Sequence, residues 1–112
     1  MILAITLDKN TFEVFDHFGQ TKNFYVFDTE KNEEKIVDNN GFSHQELVPY
    51  LASLNVGVVI CGGIGNHAIM LLNRAGIEVV PGVKGNVEEV KNAYINGTIR
   101  PDLTAIHNCS HH

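Results

Sequence analysis

The sequence has few cysteines, little positive charge and no long apolar run. Two cysteines in 112 residues cannot form a disulfide framework, so Cys61 and Cys109 are predicted to be reduced thiols or metal ligands. The net charge of -5 excludes the basic surface that general binding to nucleic acid or anionic membranes requires. No apolar run approaches the ~20 residues that span a bilayer, and residues 1–7 do not resemble a signal peptide. We therefore predict a cytoplasmic protein that contacts neither nucleic acid nor membrane.

Enzyme signatures are also absent. The chain contains no G-x-S-x-G, H-E-x-x-H or G-x-x-x-x-G-K-[ST] pattern. A metal-dependent nuclease would need several converging carboxylates, and Asp8, at the end of the first predicted strand, is a single candidate. We predict that the protein is not an enzyme.

The hydrophobic pattern predicts one α/β domain. Short apolar or β-branched runs predict five strands, at 2–7, 24–27, 35–37, 56–61 and 77–80. Three helices are predicted between and after them: one behind the Ser43/Glu46 capping box, one at 68–75, and one that Asn86 caps and Gly97 ends. The order β-β-β-α-β-α-β-α predicts a mixed five-stranded sheet with helices on both faces. Residues 98–112 are predicted to be a tail.

The segment 58–68 is a buried strand followed by a glycine-rich turn and the start of a helix. Gly63–Ala68 matches G-x-G-x-x-A, the dinucleotide-binding fingerprint. However, it follows the fourth predicted strand rather than the first, and Val79-Val80-Pro81 stands where the acidic ribose ligand is expected. Two interpretations remain: a phosphate cradle, or glycines that a tight turn requires.

Two side chains could face this turn. Cys61 is either a small core residue or a thiolate at the crevice, stabilised by the helix N-terminus. His17 is either a surface histidine or a ligand. Because the first strand should lie beside the fourth, the turn that carries His17 is predicted to lie near Gly62–Gly65.

The chain end offers further metal ligands. Cys109-Ser110-His111-His112 places soft sulfur and imidazole close together. Tetrahedral zinc requires four ligands. Such a site would have to be completed by His17, Cys61, His107 or another chain. The alternative is a tail without a ligand role.

Taken together, these motifs resemble a known family. The matching segments are Asp16-His17-Phe18-Gly19, Phe24-Tyr25-Val26-Phe27-Asp28, Cys61-Gly62-Gly63-Ile64-Gly65, Leu72-Asn73-Arg74-Ala75-Gly76-Ile77 and Gly97. This pattern, over residues 1–97, resembles the dinitrogenase iron–molybdenum cofactor biosynthesis family, which includes NifX, NafY and the C-terminal domain of NifB. The Cys-x-His-His ending of the 98–112 tail is similar to the tails of short stand-alone members.

The resemblance implies a ribonuclease H-like three-layer fold without nuclease activity. It also implies that the protein binds or carries an iron–sulfur or iron–molybdenum cluster or its precursor, with a donor or acceptor protein as its partner. His17 is the best positional match to the family's cluster-linked histidine.

We therefore predict a cofactor-binding crevice and a set of direct ligands. The crevice comprises His17, Cys61, Gly62, Gly63 and Gly65, and the metal ligands are His17, Cys109 and His111. A mononuclear transition metal is a lesser possibility, and the oligomeric state is open. Two other functions remain: a small-molecule or nucleotide-binding regulatory module that uses Gly63–Ala68, and an interaction domain with no ligand.

Overall fold

A mixed β-sheet forms the middle layer of the molecule in the computed structural model, which describes residues 1–39 and 41–107. The strands are β1 (Ile2–Asp8), β2 (Glu13–Val14), β3 (Asn23–Asp28), β4 (Glu33–Asp38), β5 (Val56–Ile60), β6 (Ile64–Gly65), β7 (Glu78–Val80) and β8 (Ile106–His107). The helices are α1 (His44–Ser53), α2 (Asn66–Arg74) and α3 (Val87–Ile95).

The main sheet has the strand order β4-β3-β1-β5-β7. The strands β1, β3 and β4 are antiparallel neighbours, whereas β5 is parallel to both β1 and β7. This arrangement confirms the predicted mixed five-stranded α/β fold. The sequence pattern did not indicate β2, a two-residue strand that pairs with the end of β1.

Alternating residues along β1 divide the core into two layers. Leu3, Ile5 and Leu7 lie in one buried cluster together with residues of α3, whereas Ala4 lies in the other with residues of α1 and α2. Successive side chains of a strand point to opposite faces, and both faces of β1 are covered. The predicted placement of helices on both faces is therefore confirmed.

Local signals fix the ends of the helices. The Ser43 N–H donates to the Glu46 carboxylate at 3.1 Å, as the capping box predicts. Pro49 lies inside α1 without shifting its start at His44. The Asn86 carboxamide oxygen accepts the N–H groups of Glu88 and Glu89, which confirms the predicted cap of α3.

Residues 98–107, which we call the return segment, run back across the domain. The Asp102 N–H donates to the Pro81 carbonyl at 3.0 Å, and β8 then pairs in parallel with β6. The sequence pattern predicted only a tail in this region and indicated neither contact. Within the described part of the chain, no helix is both long and apolar enough to cross a membrane.

Candidate functional site

Two loops meet above the carboxyl ends of β1 and β5. Because these strands are parallel, with Ile5 opposite Ile60, they deliver their following loops to the same edge of the sheet. The Phe18 N–H donates to the Gly63 carbonyl at 2.9 Å, and His17 forms an isolated parallel bridge with Gly63. The structure thus brings the turn at His17 against Gly62–Gly65, as predicted from the strand order. We call this junction the crevice.

Buried polar contacts tie the first loop to β1. The Thr6 side chain has no exposed surface, and its hydroxyl donates to the Phe15 carbonyl at 2.9 Å. In return, the Phe15 N–H donates to the Thr6 carbonyl at 3.0 Å. Phe18, only 1% exposed, anchors the far side of the loop in the core. The loop is therefore fixed at both ends.

This anchoring leaves the His17 side chain outside the core while its backbone is held. His17 has extended backbone angles and precedes the 3-10 turn Phe18–Gln20. Its residue surface is exposed. An exposed imidazole on a fixed backbone is well suited to ligate a metal ion of a bound partner or cargo.

Of the two interpretations of the glycine turn, the contacts of Gly62 favour glycines that close backbone packing requires. The Gly62 N–H donates to the Phe15 carbonyl at 3.4 Å, and the Gly63 N–H donates to the Asp16 carbonyl. A Cβ on Gly62 would lie 2.7 Å from the Asp16 carbonyl oxygen, so this position requires glycine for close backbone approach. These two N–H groups hold the first loop and are already engaged, which disfavours both a phosphate cradle and donation to an anion by Gly62 and Gly63.

Cys61 lies entirely in the core. Its exposed fraction is 0%, and it belongs to the cluster that contains Phe18, Ile64 and Ala68. Burial raises the pKa of the thiol to about 12, so it stays protonated at neutral pH. This geometry favours a small core residue over a thiolate ligand that faces the crevice.

The start of α2 supplies further polar groups at this edge. Gly65 precedes α2 and brings no side-chain oxygen to cap its first turn. N–H groups in the first turn of a helix lack intrahelical acceptors and favour anions. Asn66 and His67, the first two residues of α2, are exposed.

The return segment ends beside the same turn. In the β6–β8 pair, Ile64 is opposite Ile106 and Gly65 is opposite His107. The predicted ligands Cys109 and His111 lie outside the described residues. Within residues 1–39 and 41–107, no group of three or more His, Cys, Asp or Glu residues could hold a metal ion.

A cleft of about 470 Å³, which the sequence did not indicate, adjoins the crevice loop. It is lined by Leu7, Asp8, Lys9, Asn10, Phe15, Lys22 and Asn23. Phe15 belongs to both features, so the cleft lies next to the crevice. Lys9 and Lys22 supply positive charge there, next to Asp8. The pairing of β1 with β3 brings the two lysines together, and their spacing in the sequence does not indicate this.

The fold and the site define a small α/β domain with two exposed histidines, His17 and His67, at the edge formed by the carboxyl ends of β1 and β5. The family model described as dinitrogenase iron-molybdenum cofactor matches residues 1–97. The chain belongs to this family, which confirms the resemblance inferred from the sequence. No curated protein matches the chain.

Solved structures show the same fold. The crystal structure of PH0822 is 30% identical, covering 91% of this chain and 96% of that one, with a TM-score of 0.82. The provisionally assigned NifB protein TM1290 from Thermotoga is 25% identical, covering 89% and 91%, with a TM-score of 0.73. The apo form of the orange protein from Desulfovibrio gigas, at 24% identity, covers 90% and 92% with a TM-score of 0.80, and supports the fold alone.

Proposed function

We propose that this protein binds and carries an iron–sulfur or iron–molybdenum type cluster, or a precursor of one, at the crevice. The observation that carries the proposal is the bridge between His17 and Gly63, which fixes the backbone of an exposed histidine at the edge formed by the carboxyl ends of β1 and β5. Family membership supports the cargo, since the family is associated with the iron–molybdenum cofactor. Family members are generally carrier or scaffold proteins, which supports a non-enzymatic role.

The small number of ligands suits a carrier. Metal–sulfur clusters are anionic and are commonly held by thiolate or imidazole, and a closed four-cysteine cage would release one slowly. In this proposal His17 supplies one ligand, while Cys109 and His111 supply the others. The pairing of Gly65 with His107 supports this assignment, because it brings the backbone of His107, two residues before Cys109 in the sequence, beside the crevice.

Gly62 and Gly63 belong to the predicted crevice, but their backbone N–H groups are not expected to donate to the cargo. Gly62 and Gly63 shape the crevice and hold its first loop through their own hydrogen bonds. Donors to the cargo would come instead from the turn at Gly65 and the first turn of α2. A partner that donates or accepts the cluster would approach this edge, in a reducing cytoplasm.

Anaerobic reconstitution tests the proposal. Wild-type protein is incubated with iron and sulfide, or with isolated cofactor, and bound metal is followed by absorption and electron paramagnetic resonance. We expect His17→Ala to weaken uptake about tenfold or more. His17→Cys should restore part of it, because a thiolate can ligate the metal in place of the imidazole. Gln20→Ala, on the same exposed turn, is the matched control and should bind as wild type does.

Equal uptake by wild type and by the His17→Ala, Cys109→Ala double variant would overturn the proposal. If the protein binds a single metal ion and no sulfide, its cargo is a mononuclear metal rather than a cluster. Titration calorimetry with a nucleotide panel addresses the regulatory alternative. Micromolar nucleotide binding that is lost in Gly65→Val would favour that alternative instead.

A further inference from the structure

We infer that the cleft beside the crevice loop is a second binding site, which takes a small dicarboxylate between Lys9 and Lys22. We call it the lysine cleft. Nothing in the proposed cluster site uses these two side chains, and His17 is not among the residues that line the cleft. The inference therefore goes beyond the proposed function and does not depend on it.

The lysine cleft has the size and lining of a small-molecule site. Its volume of about 470 Å³ lies within the range of about 300–1,000 Å³ that is typical of ligand sites. Leu7 and Phe15 supply apolar lining, and Asn10 and Asn23 supply carboxamides. Apolar surface with a few polar groups suits a ligand that has a carbon body and charged ends.

The charge of the lining favours an anion. Lys9 and Lys22 are exposed, and within the described residues neither ammonium group forms an ion pair with a carboxylate. Asp8 is the one acid among the described lining residues, and its carboxylate accepts the Asn10 N–H at 2.9 Å. The lining is thus positive in a chain whose net charge is -5. An excess of one charge sign in a cleft concentrates ions of the opposite sign.

A second cleft shows that two lysines alone do not make such a site. The cleft of about 300 Å³ beside β4 contains Lys31 and Lys35, but its lining also includes Asp28, Glu33 and Glu34. Carboxylates outnumber ammonium groups there, so the cleft would repel an anion. The balance of charge therefore distinguishes the lysine cleft from the cleft beside β4.

The backbone that carries Lys9 is held on the side of β2 and α3. The Phe12 N–H donates to the Asp8 carbonyl at 2.8 Å and closes the turn between β1 and β2. The Phe12 ring packs edge-on against Tyr25, with ring centroids 5.9 Å apart. The Phe12 carbonyl accepts the Val87 N–H at 3.1 Å. The turn is therefore tied both to the sheet and to the start of α3.

The backbone that carries Lys22 is held on the side of β4. The Lys22 carbonyl accepts the Asn39 N–H at 2.9 Å, and the Asn39 carboxamide donates to the Thr21 carbonyl at 2.5 Å. The buried Thr21 hydroxyl donates to the Asn23 carbonyl at 2.8 Å. Because Leu7 pairs with Asn23, the two lysine-bearing segments leave the same end of the β1–β3 ladder. A site whose backbone is already fixed loses less freedom on binding.

The ligand class follows from these groups. Each ammonium group donates up to three hydrogen bonds and accepts none, so two lysines match two separate carboxylates. The carbon chain between the carboxylates would contact the apolar surface of Phe15. Inorganic phosphate could bind the lysines but would leave that surface in water. The cleft therefore fits a small dicarboxylate better than a bare inorganic anion.

Titration calorimetry of the full-length, metal-free protein at low ionic strength tests the inference. Succinate is the probe, butyrate is the probe of equal carbon number that lacks one carboxylate, and inorganic phosphate is the third arm. We expect saturable succinate binding with a Kd of about 1 mM or tighter. Butyrate should bind about tenfold more weakly, and Lys9→Gln and Lys22→Gln should each weaken succinate binding about tenfold. Lys31→Gln, the same substitution in the cleft beside β4, is the matched control and should bind as wild type does.

Nuclear magnetic resonance locates the bound probe. We expect succinate to shift the backbone amide signals of Asn10 and Asn23 in wild type and to leave them unshifted in the Lys9→Gln, Lys22→Gln double variant. Phosphate binding that is tighter than succinate binding and equally dependent on the two lysines would overturn the dicarboxylate assignment. Absence of saturable binding, or an equal loss in Lys31→Gln, would overturn the site itself. None of these outcomes depends on cluster uptake, so failure of the proposed function is measured separately.

Discussion

Two glycine turns, at Gly62 and at Gly82, follow neighbouring parallel strands and receive different parts of the chain. Each glycine lies where an added Cβ would meet the backbone of a distant residue, Asp16 in one case and Asp102 in the other. The first turn receives a loop that β2 and β3 hold from both sides. The second receives the return segment, which a two-residue strand pair follows.

The difference between them lies in how the incoming segment is anchored, rather than in the contact itself. Opening the loop at Asp16 would disturb strands of the main sheet, whereas opening the segment at Asp102 would disturb the two-residue β6–β8 pair and the packing of Ile106. Stability in proteins is unevenly distributed, and functional movements use the weakly held parts. The Gly62 turn is therefore the more firmly anchored of the two, and it is the turn that holds the loop carrying His17.

Substitution of Gly62 should produce the largest loss of stability. Gly62→Ala forces the backbone of Asp16 away from the turn, and overpacking of this kind typically costs about 1–3 kcal/mol. We expect the upper part of that range, measured as the free energy of unfolding in urea, because both segments are joined directly to strands of the main sheet. Gly82→Ala should cost less by the same measurement. A larger loss for Gly82→Ala would contradict the contrast between a firmly anchored turn at Gly62 and a weakly anchored one at Gly82.

The pH dependence of the unfolding free energy tests whether Cys61 is buried beneath the Gly62 turn. Because burial raises its pKa from an ordinary value of 9.0 to about 12, the folded state retains a proton that the unfolded state loses in this range. Its contribution to stability is complete below about pH 9 and declines between pH 9 and 12, by up to about 1.4 kcal/mol per pH unit. The measurement compares urea unfolding of a Cys109→Ser protein with that of the same protein carrying Cys61→Ala. Parallel pH profiles would show that Cys61 is accessible to solvent. They would then favour the interpretation in which its thiolate faces the crevice.

The sequence predicted the fold well because its signals are local. The apolar run of β1 and the cap at Asn86 depend on residues a few positions apart, and the strand order then placed His17 near Gly63. The occupied N–H groups of Gly62 and Gly63 could not be predicted, because their acceptors are main-chain carbonyls, which no residue type identifies. The close approach of Asp102 to Gly82 was missed for a similar reason. The need for glycine at position 82 arises from Asp102, far along the chain.

Thr6 tests the tether of the first loop with the smallest expected effect. Thr6→Val keeps the shape of the side chain but removes the hydroxyl that donates to the Phe15 carbonyl, leaving that oxygen with the longer, 3.4 Å bond from the Gly62 N–H. We expect a loss of about 1 kcal/mol in urea unfolding. Thr98→Val is the matched control, since its exposed hydroxyl bonds to the Ala93 carbonyl at 3.3 Å and its loss should be nearly neutral. If the loop also sets the position of His17, Thr6→Val will reduce cluster uptake more than Thr98→Val does. Equal uptake at reduced stability would assign the tether to folding alone and leave the placement of His17 to Phe18 and Gly63.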